Sequence, residues 1–268
     1  MPSHSKTRPP PTAGLLQGEV VSGRWASASV IGTSHIQNDG RLQDAYAVAA
    51  FENGGIFAVV SDGAGSAKFG AYGAWLTCRF LSVRFREWVR VNPGMPSNEE
   101  LANWIDELRG RISAIATRRE SKSRQFAATL AAIVVTPNEA ITLHIGDSAV
   151  VGRNNTEWEV LCWPENGEYA STTYFVTDDP EPRLNITRHP RKHDAFALFS
   201  DGVGDLALLH LKQCAHARFF DPIFRPIDAA PGEGRLVELS AELATYLAGS
   251  SVCERTDDDK TLILISGC

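Results

Sequence analysis

Short apolar runs bounded by turn residues begin the ordered part of the chain. Residues 25–31, 45–51 and 56–61 each have the length and composition of a β-strand. The Asn-Gly-Gly sequence at 53–55 is typical of a hairpin turn, so the second and third strands are predicted to pair antiparallel. The polar residues 32–40 are predicted to form a loop.

Two long helical patterns follow. Residues 66–90 carry many large apolar side chains and predict a buried helix, which Asn-Pro-Gly at 92–94 ends. A second helix is predicted to begin at Ser97, because Glu100 lies at the capping-box spacing. Its apolar residues then recur at helical spacing: Leu101, Trp104, Ile105, Leu108, Ile112 and Ile115.

From Phe126 onwards the period is again that of strands. Apolar runs at 128–135, 140–145, 149–153 and 158–162 are joined by tight turns, which predicts an antiparallel meander because parallel strands need a long crossover. Residues 163–193 show no clear period and are predicted to form a flap-like functional loop.

The remaining elements have less regular sequence patterns. They are a strand at 194–200, a helix at 203–212, an irregular stretch at 219–234, an amphipathic helix at 236–247 and a buried strand at 261–265. Residues 1–22 are rich in proline and polar residues and are predicted to be a disordered tail. Without a repeat or an internal linker, residues 23–268 are expected to form a single domain.

Composition narrows the partners that this chain is expected to have. A net charge of −6 argues against nucleic-acid binding. Five scattered cysteines without CxxC spacing fit reduced thiols in a cytoplasmic protein. There is no apolar core of a signal peptide and no run of the ~18 apolar residues that a membrane span needs. We therefore expect a cytoplasmic, monomeric protein without a membrane partner.

The candidate chemistry lies at strand ends. An apolar run followed by Ser-Asp-Gly occurs twice, at Asp62 and at Asp201, and further aspartates at strand ends are Asp44, Asp147 and residues 257–259. Carboxylates that gather in a cleft need a compensating cation. Oxygen ligands select Mg²⁺ or Mn²⁺, and two such ions would activate a bridging water for phosphoester hydrolysis. Taken alone, each aspartate has an alternative reading, Asp147 as a hairpin-turn residue and 257–259 as a solvated strand cap.

Six segments in chain order resemble the successive motifs of the PP2C-type metal-dependent protein serine/threonine phosphatases. They span about residues 25–266 and are Gln43-Asp44-Ala45, Val60 to Ser66, Ala128-Thr129-Leu130, Ile145-Gly146-Asp147-Ser148, Phe199-Ser200-Asp201-Gly202 and Asp258-Asp259-Lys260-Thr261. The sequence is most similar to a bacterial subgroup that shares GTSH at 32–35, QDA at 43–45, GEYA at 167–170 and TDDDKT at 256–261.

The resemblance implies a fold and a set of ligands. The fold is α+β, an α-β-β-α sandwich of two antiparallel sheets flanked by helix pairs. Asp62 would bridge two metal ions, with the Gly63 carbonyl as a further ligand. Asp201 and Asp258 would complete the ligands of one ion, and Asp44 would serve the other ion, directly or through water. Asp147 with Asp201 would form a weaker third site. Asp259 stands where the family usually has Asn and is expected to be a neighbour of the ligands.

Three positions depart from the family pattern. Asp39 stands where many relatives have a phosphate-binding Arg, so Arg41 or His35 is expected to contact the phosphate; a loop-stabilising hydrogen bond is the alternative for His35. Ala64 replaces the general-acid His of some members, so another group or water must protonate the leaving group. Gln43 replaces a Glu, which predicts weaker affinity for the second ion.

The expected function is hydrolysis of phosphoserine and phosphothreonine in proteins through a metal-bridging hydroxide, with Asp62 and Asp201 holding the nucleophilic water. The cofactors would be two Mn²⁺ or Mg²⁺ ions, with a third as the further option, and the partners phosphorylated proteins. The missing Arg and His leave open a catalytically weak or inactive phosphoprotein-binding module, and a small-molecule phosphohydrolase is a third reading. The basic residues at 118–124 are either a solvated helix end or a contact for acidic partners.

Overall fold

A computed structural model describes residues 23–51, 54–92, 94–167 and 173–268. The tail predicted at 1–22 and residues 168–170 of the subgroup motif lie outside these ranges.

The described residues form the following strands and helices. The strands are β1 Arg24–Val30, β2 Ala45–Ala50, β3 Ile56–Ser61, β4 Leu130–Val135, β5 Glu139–Ile145, β6 Ala149–Asn154, β7 Glu157–Cys162, β8 Asn185–Pro190, β9 Ala195–Phe199, β10 Leu208–Leu209, β11 Cys214–Ala215, β12 Gly234–Arg235 and β13 Lys260–Ser266. The helices are α1 Thr33–Gln37, α2 Gly70–Val91, α3 Asn98–Arg118, α4 Asp201–Ala207, α5 Ala217–Ala229, α6 Val237–Leu247 and α7 Ser250–Cys253, with 3₁₀ turns at Ser123–Phe126 and His210–Lys212.

Two sheets carry the fold. One has five antiparallel strands in the order β2-β3-β4-β5-β8. The other has six strands in the order β12-β1-β13-β9-β6-β7, antiparallel except for a two-residue parallel pairing of β12 with β1. The short β10 and β11 pair with each other apart from both sheets.

Three apolar cores hold four layers together. One core lies between the inner faces of the two sheets and includes Val60, Ile133 and Leu198. A second joins the five-stranded sheet to α2 and α3, and a third joins the six-stranded sheet to α5 and α6. Burying both faces of each sheet stabilises this arrangement. The predicted α-β-β-α sandwich is confirmed.

The cap of α3 forms as the spacing predicts. The Ser97 hydroxyl accepts a hydrogen bond from the backbone N–H of Glu100 at 3.1 Å. The apolar positions that recur at helical spacing face the second core, and those that are buried are Leu101, Trp104, Ile105, Leu108 and Ile112. Capping and periodicity together determine where this helix begins and which face it buries.

The prediction of an irregular stretch at 219–234 is wrong over most of that range, because helix α5 occupies residues 217–229. Pro222 and Pro226 suggested a break, since proline in a helix interior costs about 3 kcal/mol. The apolar face opposite them buries four side chains, Phe219, Phe220, Phe224 and Ile227. Each buried side chain contributes about 1.5–3 kcal/mol, so the four together offset the cost of the two prolines.

The predicted meander is wrong at its middle turn. β5 belongs to the five-stranded sheet and β6 to the six-stranded sheet, so Gly146-Asp147-Ser148 crosses between sheets. Gly146 has a φ of 98°, which lets the chain change direction there. A turn signal in sequence does not distinguish a hairpin from a crossing, and the crossing places Asp147 at the edge where the sheets meet.

Three other boundaries differ from the prediction. The region 163–193 is not loop throughout, because its end forms β8, an edge strand that pairs with β5. The predicted loop 32–40 contains the short helix α1, and the helix predicted at 203–212 runs instead from Asp201 to Ala207. None of the helices in the described ranges is long and apolar enough to cross a membrane.

Candidate metal centre

Strand register brings the predicted ligands to one end of the sandwich. Ala45 pairs with Ser61 in the five-stranded sheet, which places Asp44 and Asp62 side by side just beyond that pair. In the six-stranded sheet Phe199 pairs with both Ala149 and Leu262. The aspartates at 147, 201 and 258 therefore leave that sheet at the same end.

Three carboxylates from different elements form one close group. Asp62, Asp147 and Asp201 each offer one oxygen, and these oxygens all lie within 4.8 Å of one another. Asp62 follows β3, Asp147 lies in the crossing turn and Asp201 begins α4. Asp258 falls in a neighbouring group with His35 and Asp259.

Asp44 links the two sheets. Its Oδ2 accepts hydrogen bonds from the hydroxyls of Ser200 and Thr261, both at 2.7 Å. The same Ser200 hydroxyl accepts from the Thr261 backbone N–H at 3.0 Å. Sequence reasoning missed both hydroxyl residues as positioning groups, although each lies inside a quoted motif next to a predicted ligand.

Thr129 fixes the backbone of Asp62. Its hydroxyl accepts from the Asp62 N–H at 3.0 Å, and its own N–H donates to the Asp62 carbonyl at 2.8 Å. The Thr129 hydroxyl also lies 3.0 Å from that of Ser148, beside Asp147. The Ala-Thr-Leu motif thus joins two of the three clustered aspartates.

Two glycines permit close approaches at the site. A Cβ on Gly63 would lie 2.3 Å from the backbone of Gly70, and one on Gly202 would lie 2.0 Å from the carbonyl oxygen of Asp259. Both distances are too short for a side chain, so each Ser-Asp-Gly sequence requires its glycine for packing.

Asp259 is an anchor rather than an open ligand. Its Oδ1 accepts hydrogen bonds from the Gly32 N–H at 2.7 Å and His35 Nδ1 at 2.9 Å, and its Oδ2 accepts from the Gln43 N–H at 2.6 Å. The side chain is buried. It therefore ties α1 and the residue before Asp44 to the start of β13.

Burial and mutual repulsion raise the pKa values of the clustered carboxyls. Burial raises the pKa of Asp44 to about 7, while the hydrogen bonds from Ser200 and Thr261 act in the opposite direction. Burial, followed by the charges of Asp147, Asp258 and Asp44, raises the pKa of Asp201 to about 8.

The other two members of the cluster shift the same way. Burial and then the charges of Asp44 and Asp201 raise the pKa of Asp62 well above its ordinary value. Burial also raises the pKa of Asp147, against a hydrogen bond from Thr173. The cluster therefore carries its full negative charge at neutral pH only at a considerable electrostatic cost.

Comparison with known proteins identifies the family. A sequence model described as Protein phosphatase 2C matches residues 31–248. The chain is 35% identical over 250 residues to Serine/threonine-protein phosphatase 3 of Escherichia coli (strain K12), covering 91% of this chain and 98% of that protein. The chain belongs to the protein phosphatase 2C family.

Solved structures agree with this fold. Serine/threonine phosphatase Stp1 from Staphylococcus aureus superposes with a TM-score of 0.64 at 16% identity, over 95% of this chain and 98% of that one. The catalytic domain of the phosphatase PstP, solved in complex with two manganese ions, gives 0.59 at 19% identity, over 91% and 97%.

The residues present fit the divalent metal dependence of the protein phosphatase 2C family. Asp44 Oδ1, Asp147 Oδ1 and Gln43 Oε1 are buried, and no described group donates a hydrogen bond to them. Buried carboxylate oxygens without a donor are costly unless a cation is bound. The donor set of oxygens alone suits Mg²⁺ or Mn²⁺.

The two candidate phosphate contacts of this phosphatase 2C member differ in placement. His35 lies in α1 and is held by Asp259, next to Asp258. Arg41 is exposed, and within the described ranges it takes part in no ion pair or side-chain hydrogen bond. The structure therefore brings His35, but not Arg41, into contact with the residues around the cluster. Binding of the substrate phosphate by either residue stays a prediction.

Proposed function

We propose that this protein hydrolyses phosphoserine and phosphothreonine monoesters in proteins, using two Mn²⁺ or Mg²⁺ ions and a third, weaker one. Membership of the protein phosphatase 2C family supports the reaction class. The observation that carries the proposal is the convergence of the Asp62, Asp147 and Asp201 oxygens within 4.8 Å.

The proposed ligands divide by position. Asp62 would contribute to both ions, with the Gly63 carbonyl as a further ligand. Asp201 and Asp258 would contribute to one ion, and Asp44 to the other, directly or through water. Asp147 with Asp201 would hold the third. When bound, such ions supply positive charge that lowers the pKa of a coordinated water and offsets the charge of the phosphoryl oxygens.

The chain itself supplies position and electrostatics. The hydroxyls of Ser200 and Thr261 orient one oxygen of Asp44 and leave its other oxygen free. Asp259 accepts from His35 Nδ1, so it orients the imidazole and leaves Nε2 as the ring nitrogen available to a phosphate oxygen. Arg41, exposed in the loop before Asp44, is the second candidate for that contact.

Activity after metal removal and replacement tests the proposal. The protein is stripped with EDTA and then assayed with Mn²⁺ or Mg²⁺ on p-nitrophenyl phosphate, a phosphothreonine peptide and small phosphometabolites. We expect turnover only with metal, and higher kcat/KM for the peptide than for the metabolites. A lack of phosphate release on every substrate would refute the enzyme assignment.

Ligand variants test the residues separately. We expect Asp62→Asn and Asp201→Asn each to lower kcat by about a hundred- to a thousandfold, a loss comparable with that of one strong electrostatic group at an active site. Asp205→Asn, which neutralises an exposed carboxylate on the same helix α4, is the matched control. Retained activity in both ligand variants would contradict the metal assignment.

Compartment and assembly belong to the same proposal. All five cysteines are free, and burial raises the pKa of Cys162 to about 12, which keeps it as an unreactive thiol. These thiols support action in the reducing cytoplasm. We infer a monomer, which light scattering coupled to size exclusion would test directly.

A further inference from the structure

A group of exposed cations lies around the loop that follows the proposed ligand Asp62. We call it the cationic rim; it consists of Lys68, Arg118, Arg119, Lys122 and Arg124. Between residues 118 and 124 the single acidic residue is Glu120. On a chain whose net charge is −6, the rim is a local reversal of sign.

Backbone hydrogen bonds place the rim beside the loop that follows the proposed ligands Asp62 and Gly63. The N–H groups of Ala64 and Phe69 donate to the carbonyls of Ala127 and Gln125, at 3.0 and 2.7 Å. The Lys68 N–H donates to the Gln125 side chain at 2.9 Å. Residues 125–127 therefore run alongside the loop that begins at the proposed ligand Asp62, and Arg124 is the next residue along.

The charges of the rim have no anionic partner in the described structure. The ion pairs between described side chains involve none of its five members. Two of them are positioned by aromatic rings instead. The Arg119 guanidinium lies 5.1 Å from the ring centres of both Phe69 and Tyr72, and Lys68 Nζ lies 5.3 Å from that of Phe69.

We propose that the cationic rim binds Asp and Glu side chains that flank the phosphorylated residue of the substrate. The inference rests on the proposed phosphatase function and specifies its substrate class, acidic phosphopeptides. Unpaired cations at the edge of a cleft raise the local concentration of an anionic ligand and orient it as it approaches. Because the rim is exposed, its effect should weaken at high ionic strength.

The test compares three phosphothreonine peptides of equal length, with Glu, Gln or Lys at the flanking positions. For the wild-type protein with Mn²⁺ we expect kcat/KM to be about five- to tenfold higher for the Glu peptide than for the Gln peptide, as a few exposed charge contacts allow. The difference should lie mainly in KM. It should shrink between about 0.05 M and 0.5 M NaCl as screening increases.

Charge reversal identifies the surface responsible. In the double variant Lys122→Glu/Arg124→Glu the preference for the Glu peptide should disappear, while kcat/KM for p-nitrophenyl phosphate stays within about twofold because it has no flanking charges. The matched control is Arg218→Glu/Arg225→Glu, the same charge change on exposed positions of α5 in the opposite helix layer. The control should retain the preference.

Two results would overturn the inference: equal kcat/KM for the Glu and Gln peptides in the wild type, or a preference that survives charge reversal of the rim. Either result with normal hydrolysis of p-nitrophenyl phosphate leaves the proposed function standing. Fluorescence anisotropy with peptides carrying a non-hydrolysable phosphonate decides the inference even if the protein proves inactive. Tighter binding of the Glu peptide, lost in the rim variant, would support it.

Discussion

Replacing Asp44 with Asn should stabilise the metal-free protein. The carboxyl is buried, and its pKa is raised from 3.8 to about 7. At about 1.4 kcal/mol per pKa unit, this corresponds to about 4 kcal/mol of destabilisation once Asp44 is ionised in both folded and unfolded chains. Asn keeps an oxygen that can accept from Ser200 and Thr261. The variant therefore removes the charge with little change in packing.

The sign of this effect depends on pH. Below pH 3.8 Asp44 is protonated in both states and the charge costs nothing. As pH rises from 3.8 to about 7, the unfolded chain loses the proton first, so wild-type stability falls. The advantage of Asp44→Asn should thus be small near about pH 4.5 and approach about 4 kcal/mol near pH 8, equivalent to about 10 °C in Tm for a domain of this size.

Thermal unfolding in EDTA measures the charge cost of Asp44, and unfolding in Mn²⁺ measures its contribution to metal binding. With Mn²⁺ at about a hundred times its Kd, the wild type should gain about 2.7 kcal/mol, and the variant should gain less because it lacks one proposed ligand. Asp205→Asn, exposed on α4, is the control and should show no pH-dependent gain. A variant less stable than the wild type in EDTA at pH 8 would contradict the charge cost of Asp44. A variant that gains as much stability from Mn²⁺ as the wild type would contradict its role as a ligand.

Two neighbouring contacts give further predictions. Asp259→Ala leaves the buried N–H of Gly32 and the part-buried N–H of Gln43 without an acceptor. It should lower the free energy of unfolding by about 3 kcal/mol in urea titrations, whereas Asp259→Asn should recover part of this loss. An unchanged urea midpoint in the Ala variant would show that Asp259 is no anchor. Thr173→Val removes the donor to Asp147 Oδ2 and should lower the Tm in EDTA by about 2–4 °C, since one hydrogen bond is worth about 1 kcal/mol. It should also increase the Tm gain from Mn²⁺; a smaller gain would contradict a metal role for Asp147.

Local sequence determined most of the secondary structure. Short apolar runs bounded by turn residues indicate buried strands such as β3, β4 and β9. Ser97 with Glu100 specifies the start of α3 through a hydrogen bond between near neighbours. Ordered motifs also indicated the family and the aspartates at strand ends. These signals are readable because each depends on residues only a few positions apart.

Tertiary structure decided what those signals could not. Helix α5 forms despite two prolines because its apolar face is buried against the six-stranded sheet. The free energy of this burial depends on distant residues and cannot be read from the local sequence. The turn at Asp147 connects two sheets rather than two paired strands, and only the packing of those sheets brings Asp62, Asp147 and Asp201 together. The anchoring of Asp44 by Ser200 and Thr261 joins residues 156 and 217 positions apart. The sequence alone thus determined which side chains lie at strand ends. The packing of the two sheets against each other decided which of those side chains share a site. Residues so far apart in the chain come into contact only when whole layers are buried against one another.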